Sequence, residues 1–88
     1  MSDRELLELA AKAAGRGIAD YLPGEPDRCW NPLTDDGDAL RLAVSLPGMS
    51  LEWVIASAWQ AHDSQEDRQS YVRRTIVERA ALLGRLLP

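Results

Sequence analysis

Residues 30–44 read WNPLTDDGDALRLAV, and this stretch combines a turn, a helix start and an apolar helix face. Its Asn-Pro pair favours a turn, because the proline ring disfavours the helical conformation at the residue before it. Thr34 or Asp35 then caps a helix. The first turn of this helix carries three carboxylates near the positive end of the helix dipole, those of Asp35, Asp36 and Asp38. The stretch therefore predicts a helix over residues 35–46.

The same three aspartates are candidates for binding a metal ion. Closely spaced carboxylates are typical ligands of calcium and magnesium, but a calcium loop needs a bidentate glutamate at its twelfth position. That position is Leu46 if Asp35 is counted as the first. Helix capping is therefore the favoured interpretation, and no metal or other cofactor is expected.

Apolar spacing predicts two further helices, one on each side of this motif. Ser2 and Glu5 form a capping box that starts a helix over residues 3–14. Ser64 caps the other, over residues 65–86, whose core-facing stripe is expected to be Tyr71, Val72, Ile76, Ala80, Leu83 and Leu87. In the middle helix the expected inward residues are Leu40, Ala43, Val44 and Leu46. Glycines and prolines predict irregular structure over residues 15–32.

Residues 50–62 fit two kinds of secondary structure. As a helix capped by Ser50, the segment places five apolar side chains on one arc: Leu51, Val54, Ile55, Ala58 and Trp59. As a strand, it offers alternating faces and the β-branched and aromatic residues that strands favour. Periodicity slightly favours the helix, whereas residue type allows the strand.

Length and charge limit the function of the chain. Its 88 residues form one domain, residues 1–88, and domains of this size are often stabilised by forming homodimers. The net charge of -4 disfavours direct binding to nucleic acid and favours a protein partner. A single cysteine excludes an internal disulfide, and no apolar run approaches the roughly 20 residues that cross a membrane. A cytoplasmic protein without membrane attachment is expected.

Cys29, His62 and Asp63 are the residues from which a cysteine hydrolase could be built. No local signature of such an enzyme surrounds them. A free cysteine usually behaves as a small apolar residue, and so short a chain encloses few pockets suited to catalysis. The sequence therefore predicts a protein that is not an enzyme.

Trp53 and Trp59 are candidates for contact with a partner, because tryptophan is enriched at binding hot spots. They lie about 120° apart if the segment is a helix, so at least one is expected to be partly exposed. Packing in the core is the favoured interpretation and an interface is the alternative. Arg73 and Arg74 lie on a locally basic helix, for which a solvated face is favoured; the alternative is that they bind phosphate or acidic groups.

Residues 30–44 and the segment YVRRTIVERAA at residues 71–81 resemble a family of small phage and prophage proteins of the ABA-sandwich or NinX-like kind. The resemblance implies two or three helices around a small antiparallel sheet, and it implies no established activity. We therefore expect an α+β fold of three helices with a minimal sheet or a single strand near residues 51–60. An all-helical domain of four helices is the alternative.

The expected function is that of a phage-encoded accessory protein that binds a host protein stoichiometrically, without catalysis. Inhibition of a host defence system, as by anti-CRISPR proteins, is one such activity, and the acidic turn could then mimic nucleic acid. The expected partner-binding residues are Trp53, Trp59, Arg73, Arg74, Asp35, Asp36 and Asp38. The alternative is a protein that binds a small molecule or nucleotide at the arginine-lined helix face, in the groove of a homodimer.

Overall fold

A side-chain cap precedes each of the four helices in the described part of the chain. In the computed structural model, which describes residues 2–15 and 30–87, the helices are α1 (Asp3–Ala13), α2 (Asp36–Ser45), α3 (Leu51–Ala61) and α4 (Gln65–Leu86). The caps each accept a hydrogen bond from the backbone N–H three residues later, and they are Ser2, Asp35, Ser50 and Ser64. The helices predicted over residues 3–14, 35–46 and 65–86 are thus present, with ends that agree within one residue.

The expected α+β fold is wrong, because the described residues form helices and connecting segments and include no strand. The strand expected near residues 51–60 lies within α3. There the Ser50 hydroxyl accepts a hydrogen bond from the Trp53 N–H at 3.4 Å, and Val54 and Ala58 are buried one turn apart. The apolar residues that recur at helical spacing pack as one buried face. This packing outweighs the preference of the aromatic and β-branched residues for strands. Over residues 2–15 and 30–87 the domain is all-helical, as in the alternative.

The helix α4 lies at the centre, since α1, α2 and α3 all pack against it. Small residues permit the close packing of α1 on α4. A Cβ added at Gly84 would overlap the carbonyl oxygen of Leu9 and lie 2.8 Å from its carbonyl carbon. Ala10 and Ala80 are completely buried in the same core. The absence of a side chain at Gly84 therefore sets how closely the two helices approach.

Four residues expected to face the core are exposed instead: Leu40, Val44, Leu83 and Leu87. In α2 the buried arc consists of Ala39, Leu42 and Ala43 and is continued by Leu46. Leu40 lies one residue, about 100°, away from this arc, and a buried helix face is little wider than that. In α4 the buried arc turns toward α1 through Val77, Ala81 and Gly84. Leu40 and Val44 therefore reach the surface on α2, and Leu83 does so on α4.

The connection between α2 and α3 runs through Pro47 and Gly48. Gly48 has φ of +76°, a left-handed conformation that glycine adopts without strain and that separates the two helices. Most of the segment predicted to be irregular, and Cys29 with it, lies outside the described residues. Within those residues no helix is long and apolar enough to cross a membrane.

Candidate protein-binding groove

A groove lies between α2, α3 and α4. Its volume is about 360 Å³, and its walls are mainly apolar. The apolar side chains come from all three helices: Leu40, Leu51, Ile55, Trp59, Val72 and Ile76. Leu40 and Ile55 are about half exposed, and Trp59 is 63% exposed. Contiguous exposed apolar side chains with a polar border are typical of binding sites.

The ring of Trp59 stacks on Arg68 of α4. The guanidinium carbon lies 3.7 Å from the ring centroid, which is the geometry of a cation–π contact. Nη1 of Arg68 donates to the carbonyl oxygen of His62 at 3.2 Å, whereas the buried Nε has no hydrogen-bond partner. These contacts hold Trp59 in one orientation although most of its surface is exposed.

An ion pair between Arg73 and Asp36 forms a polar part of the groove wall. Nη1 of Arg73 lies 2.6 Å from Oδ1 of Asp36. In addition, Nε donates to the carbonyl oxygen of Leu33 at 2.9 Å, and Nη2 donates to the hydroxyl of Ser70 at 3.1 Å. Only 17% of the Arg73 side chain is exposed. Arg73 therefore connects α4 to the turn before α2, which is a structural role.

The acidic turn is engaged in contacts within the chain. Oδ2 of Asp35 accepts from the Asp38 N–H at 2.8 Å, so Asp35 is the cap of α2. Asp38 in turn accepts from the Asn31 N–H at 3.0 Å and from Nη2 of Arg41 at 2.7 Å. Each of the three carboxylates of this turn thus contacts another group of the chain at the start of α2.

Arg74 is more exposed than Arg73 and has different partners. Its Nη1 lies 3.1 Å from Oδ1 of Asp3, and its Nε lies 3.5 Å from Oε2 of Glu78.

The structure brings three of the predicted binding residues to the groove, namely Asp36, Trp59 and Arg73. Four others are not part of its walls: Trp53, Arg74, Asp35 and Asp38.

Trp53 lies on a different face of α3 from Trp59. It is 56% exposed, and the guanidinium carbon of Arg79 lies 5.2 Å from its ring centroid. The prediction that at least one of these two tryptophans is partly exposed is confirmed, because both are. Their separation of about 120° around α3 places them on two surfaces rather than one.

The residues considered for catalysis do not form a described site. Cys29 lies outside the described residues. His62 is half-buried and contacts Tyr71 edge to face, with ring centroids 5.4 Å apart. In the described ranges, no three histidine, cysteine, aspartate or glutamate side chains come together where they could hold a metal ion.

Sequence reasoning missed three side chains of the groove. Leu40 was assigned to the core, and Ile55 was not singled out, although Leu51, Ile55 and Trp59 recur every four residues and share one face of α3. That spacing is a signal in the sequence, but it has meaning only once the segment is known to be a helix. Arg68 offers no such signal, because its stacking depends on the packing of α3 against α4.

No protein-family model, curated protein or solved structure matches this chain.

Proposed function

We propose that this chain is a non-enzymatic binding protein that holds an amphipathic helix of a partner protein in the groove between α2, α3 and α4. The observation that carries the proposal is the apolar groove wall, which continues onto the exposed ring of Trp59. Helices that dock in grooves insert apolar side chains at positions i, i+3 or i+4, and i+7. In line with the resemblance to phage proteins, the proposed partner is a protein in the cytoplasm of the bacterial host.

The dimensions of the groove suit a short helix. Leu51, Ile55 and Trp59 extend along α3 over eight residue steps, which is about 12 Å. A partner helix of about three turns covers this distance, and packed helices approach to about 8–10 Å between axes. Leu40 and Val72 flank the row from the two neighbouring helices. Apolar contacts are thus available on both sides of a docked helix.

The charges at the groove favour an acidic residue in the partner. Arg73 and Asp36 neutralise each other, so Arg68 contributes the remaining charge of the groove wall. The chain as a whole has a charge of -4, which makes this positive site a local exception. A glutamate on the partner helix can pair with the guanidinium of Arg68 while its apolar neighbours contact Trp59.

The same contacts give less support to the other functions considered. Binding of a nucleotide by the arginines of α4 needs free guanidinium groups, whereas Arg73 and Arg74 each pair with an aspartate of the chain. Mimicry of nucleic acid needs unpaired carboxylates, whereas Asp36 and Asp38 each accept from an arginine.

Selection of peptides tests this proposal without knowledge of the partner. A yeast-displayed library of peptides of about 16 residues, enough for four helical turns, is selected for binding to the 88-residue chain. We expect the enriched peptides to share apolar residues at i, i+3 or i+4, and i+7, with a glutamate or aspartate nearby. Their affinity is then measured for the wild type and for the double variant Leu40→Gln, Ile55→Gln.

The double variant removes apolar groove contacts at two sites that are about half exposed, so we expect it to fold. Its affinity for the enriched peptides should fall by about tenfold or more. A matched control is Val44→Gln, which changes an exposed apolar residue of α2 that does not line the groove. Enrichment of peptides without a shared apolar spacing, or equal binding by the double variant, would contradict the proposal.

A further inference from the structure

A second apolar surface lies on the C-terminal half of α4, away from the groove. Leu82, Leu83 and Leu86 are 59%, 36% and 81% exposed. Together with Arg79 they occupy positions i, i+3, i+4 and i+7, so all four share one side of the helix. We call this set the leucine stripe. None of its members lines the groove between α2, α3 and α4.

The leucine stripe continues onto α3 through a cation–π contact. Arg79 is its one charged member, and the guanidinium of Arg79 lies 5.2 Å from the ring centroid of Trp53. The ring of Trp53 thereby extends the apolar surface beyond α4. Met49 lies in the connection between α2 and α3 and borders Leu82 and Leu83 in a small cleft. The surface combines an apolar helix face with an exposed tryptophan.

We infer that the leucine stripe binds the leucine stripe of a second copy of this chain, so that the protein forms a symmetric homodimer. Apolar residues one turn apart on the same side of a helix, as Leu82 and Leu86 are, allow two helices to pack along a common seam. In a dimer with a two-fold axis, the same surface of both copies forms the interface. Each leucine of one copy then contacts the leucine stripe of the other copy. The stripe has no acidic member, so pairing places no carboxylates of the two negative chains against each other.

The available area is consistent with a weak dimer. Leu82, Leu83, Leu86 and Trp53 together expose on the order of 500 Å² of mostly apolar surface per copy. Two copies then bury roughly 1,000 Å², which is at the lower limit for specific interfaces. Interfaces of this size are typical of weak complexes, so the dimer is expected to dissociate on dilution. The groove stays open in it, because the two surfaces use different residues.

Sedimentation velocity of the full chain tests the inference. Over concentrations from about 5 to 500 µM we expect the weight-average sedimentation coefficient to rise from the monomer value toward the dimer value. The double variant Leu82→Gln, Leu86→Gln should remain monomeric over this range. Both side chains are mostly exposed, and an unchanged far-ultraviolet circular dichroism spectrum shows that the variant is folded.

Two tryptophan variants identify the surface. Trp53→Ala should weaken the dimer by about tenfold, whereas Trp59→Ala, a change of the same residue type on the same helix, should leave it unchanged. A wild type that stays monomeric throughout would overturn the inference. So would a dimer that survives loss of the leucine stripe, or one that is lost in Leu40→Gln, Ile55→Gln, because the groove would then be its interface. Peptide binding to the groove is measured separately, so the two proposals can fail independently.

Discussion

Arg73 illustrates how the surroundings of a residue determine its role. Adjacent arginines at positions 73 and 74 look equivalent in the sequence, and both were candidates for binding. In the structure Arg73 is mostly buried and donates to Asp36, to Ser70 and to a backbone carbonyl, whereas Arg74 is about half exposed. Hydrogen bonds of a buried charged group contribute more to stability than exposed ion pairs do.

Arg73→Ala should therefore lower the free energy of unfolding by about 2 kcal/mol, because it leaves the Leu33 carbonyl without its donor and Asp36 without its ion-pair partner. Arg74→Ala is the matched control and should change it by less than about 1 kcal/mol. Urea denaturation followed by circular dichroism measures both values. Equal losses of unfolding free energy in the two variants would contradict the structural role of Arg73.

The aspartates of the turn allow the acidic-mimicry hypothesis to be tested at the same scale. Asparagine caps helices about as well as aspartate does, so Asp35→Asn with Asp38→Asn removes two charges while the start of α2 is retained. If the groove is the binding site, the affinity for the enriched peptides should change by less than about threefold. A larger loss in the folded variant would favour a role for the carboxylates in recognition.

At the scale of the elements, the packing of α1 on α4 depends on one glycine. A side chain at Gly84 would overlap the backbone of Leu9, and a backbone cannot move aside as a flexible side chain can. Gly84→Ala should therefore reduce the free energy of unfolding by about 2–3 kcal/mol, although alanine is the better helix former. Thermal denaturation measures this loss.

The control for this substitution is Gly37→Ala in α2. A Cβ there meets the flexible end of the Arg41 side chain at 3.2 Å and, at the same distance, Oδ2 of Asp35, which has to yield slightly while it caps α2. The higher helix propensity of alanine offsets this crowding, so the variant should change the free energy of unfolding by less than about 1 kcal/mol. If Gly84→Ala were also neutral, the close approach of α1 and α4 would be contradicted.

The elements also show how far the sequence predicts the fold. Three helices could be located within one residue, because caps and first-turn acids are local signals. Whether residues 51–61 form a helix or a strand could not be predicted. A short apolar segment with tryptophans and β-branched residues suits either structure until its packing is known. The prediction that Leu40 and Leu83 face the core is wrong for a related reason. Spacing indicates that a helix has an apolar face, but the packing of the helices on one another determines which arc is covered.

At the scale of the whole molecule, the two exposed tryptophans mark two surfaces. Trp59 belongs to the groove between α2, α3 and α4, where Arg68 holds its ring. Trp53 adjoins the leucine stripe, where Arg79 lies near its ring. A protein of 88 residues with two separate apolar surfaces can associate with itself on one and with a partner on the other. The proposed dimer would then present two grooves and increase the apparent affinity for a partner with two binding segments.

The most direct test of the groove is calorimetric titration of one enriched peptide into the wild type, Trp59→Ala and Trp53→Ala. The two variants remove the same side chain from the same helix, at sites of similar exposure. The groove proposal predicts that Trp59→Ala weakens binding by about tenfold or more and that Trp53→Ala changes it by less than about threefold. Equal losses in both variants, or a larger loss in Trp53→Ala, would contradict it.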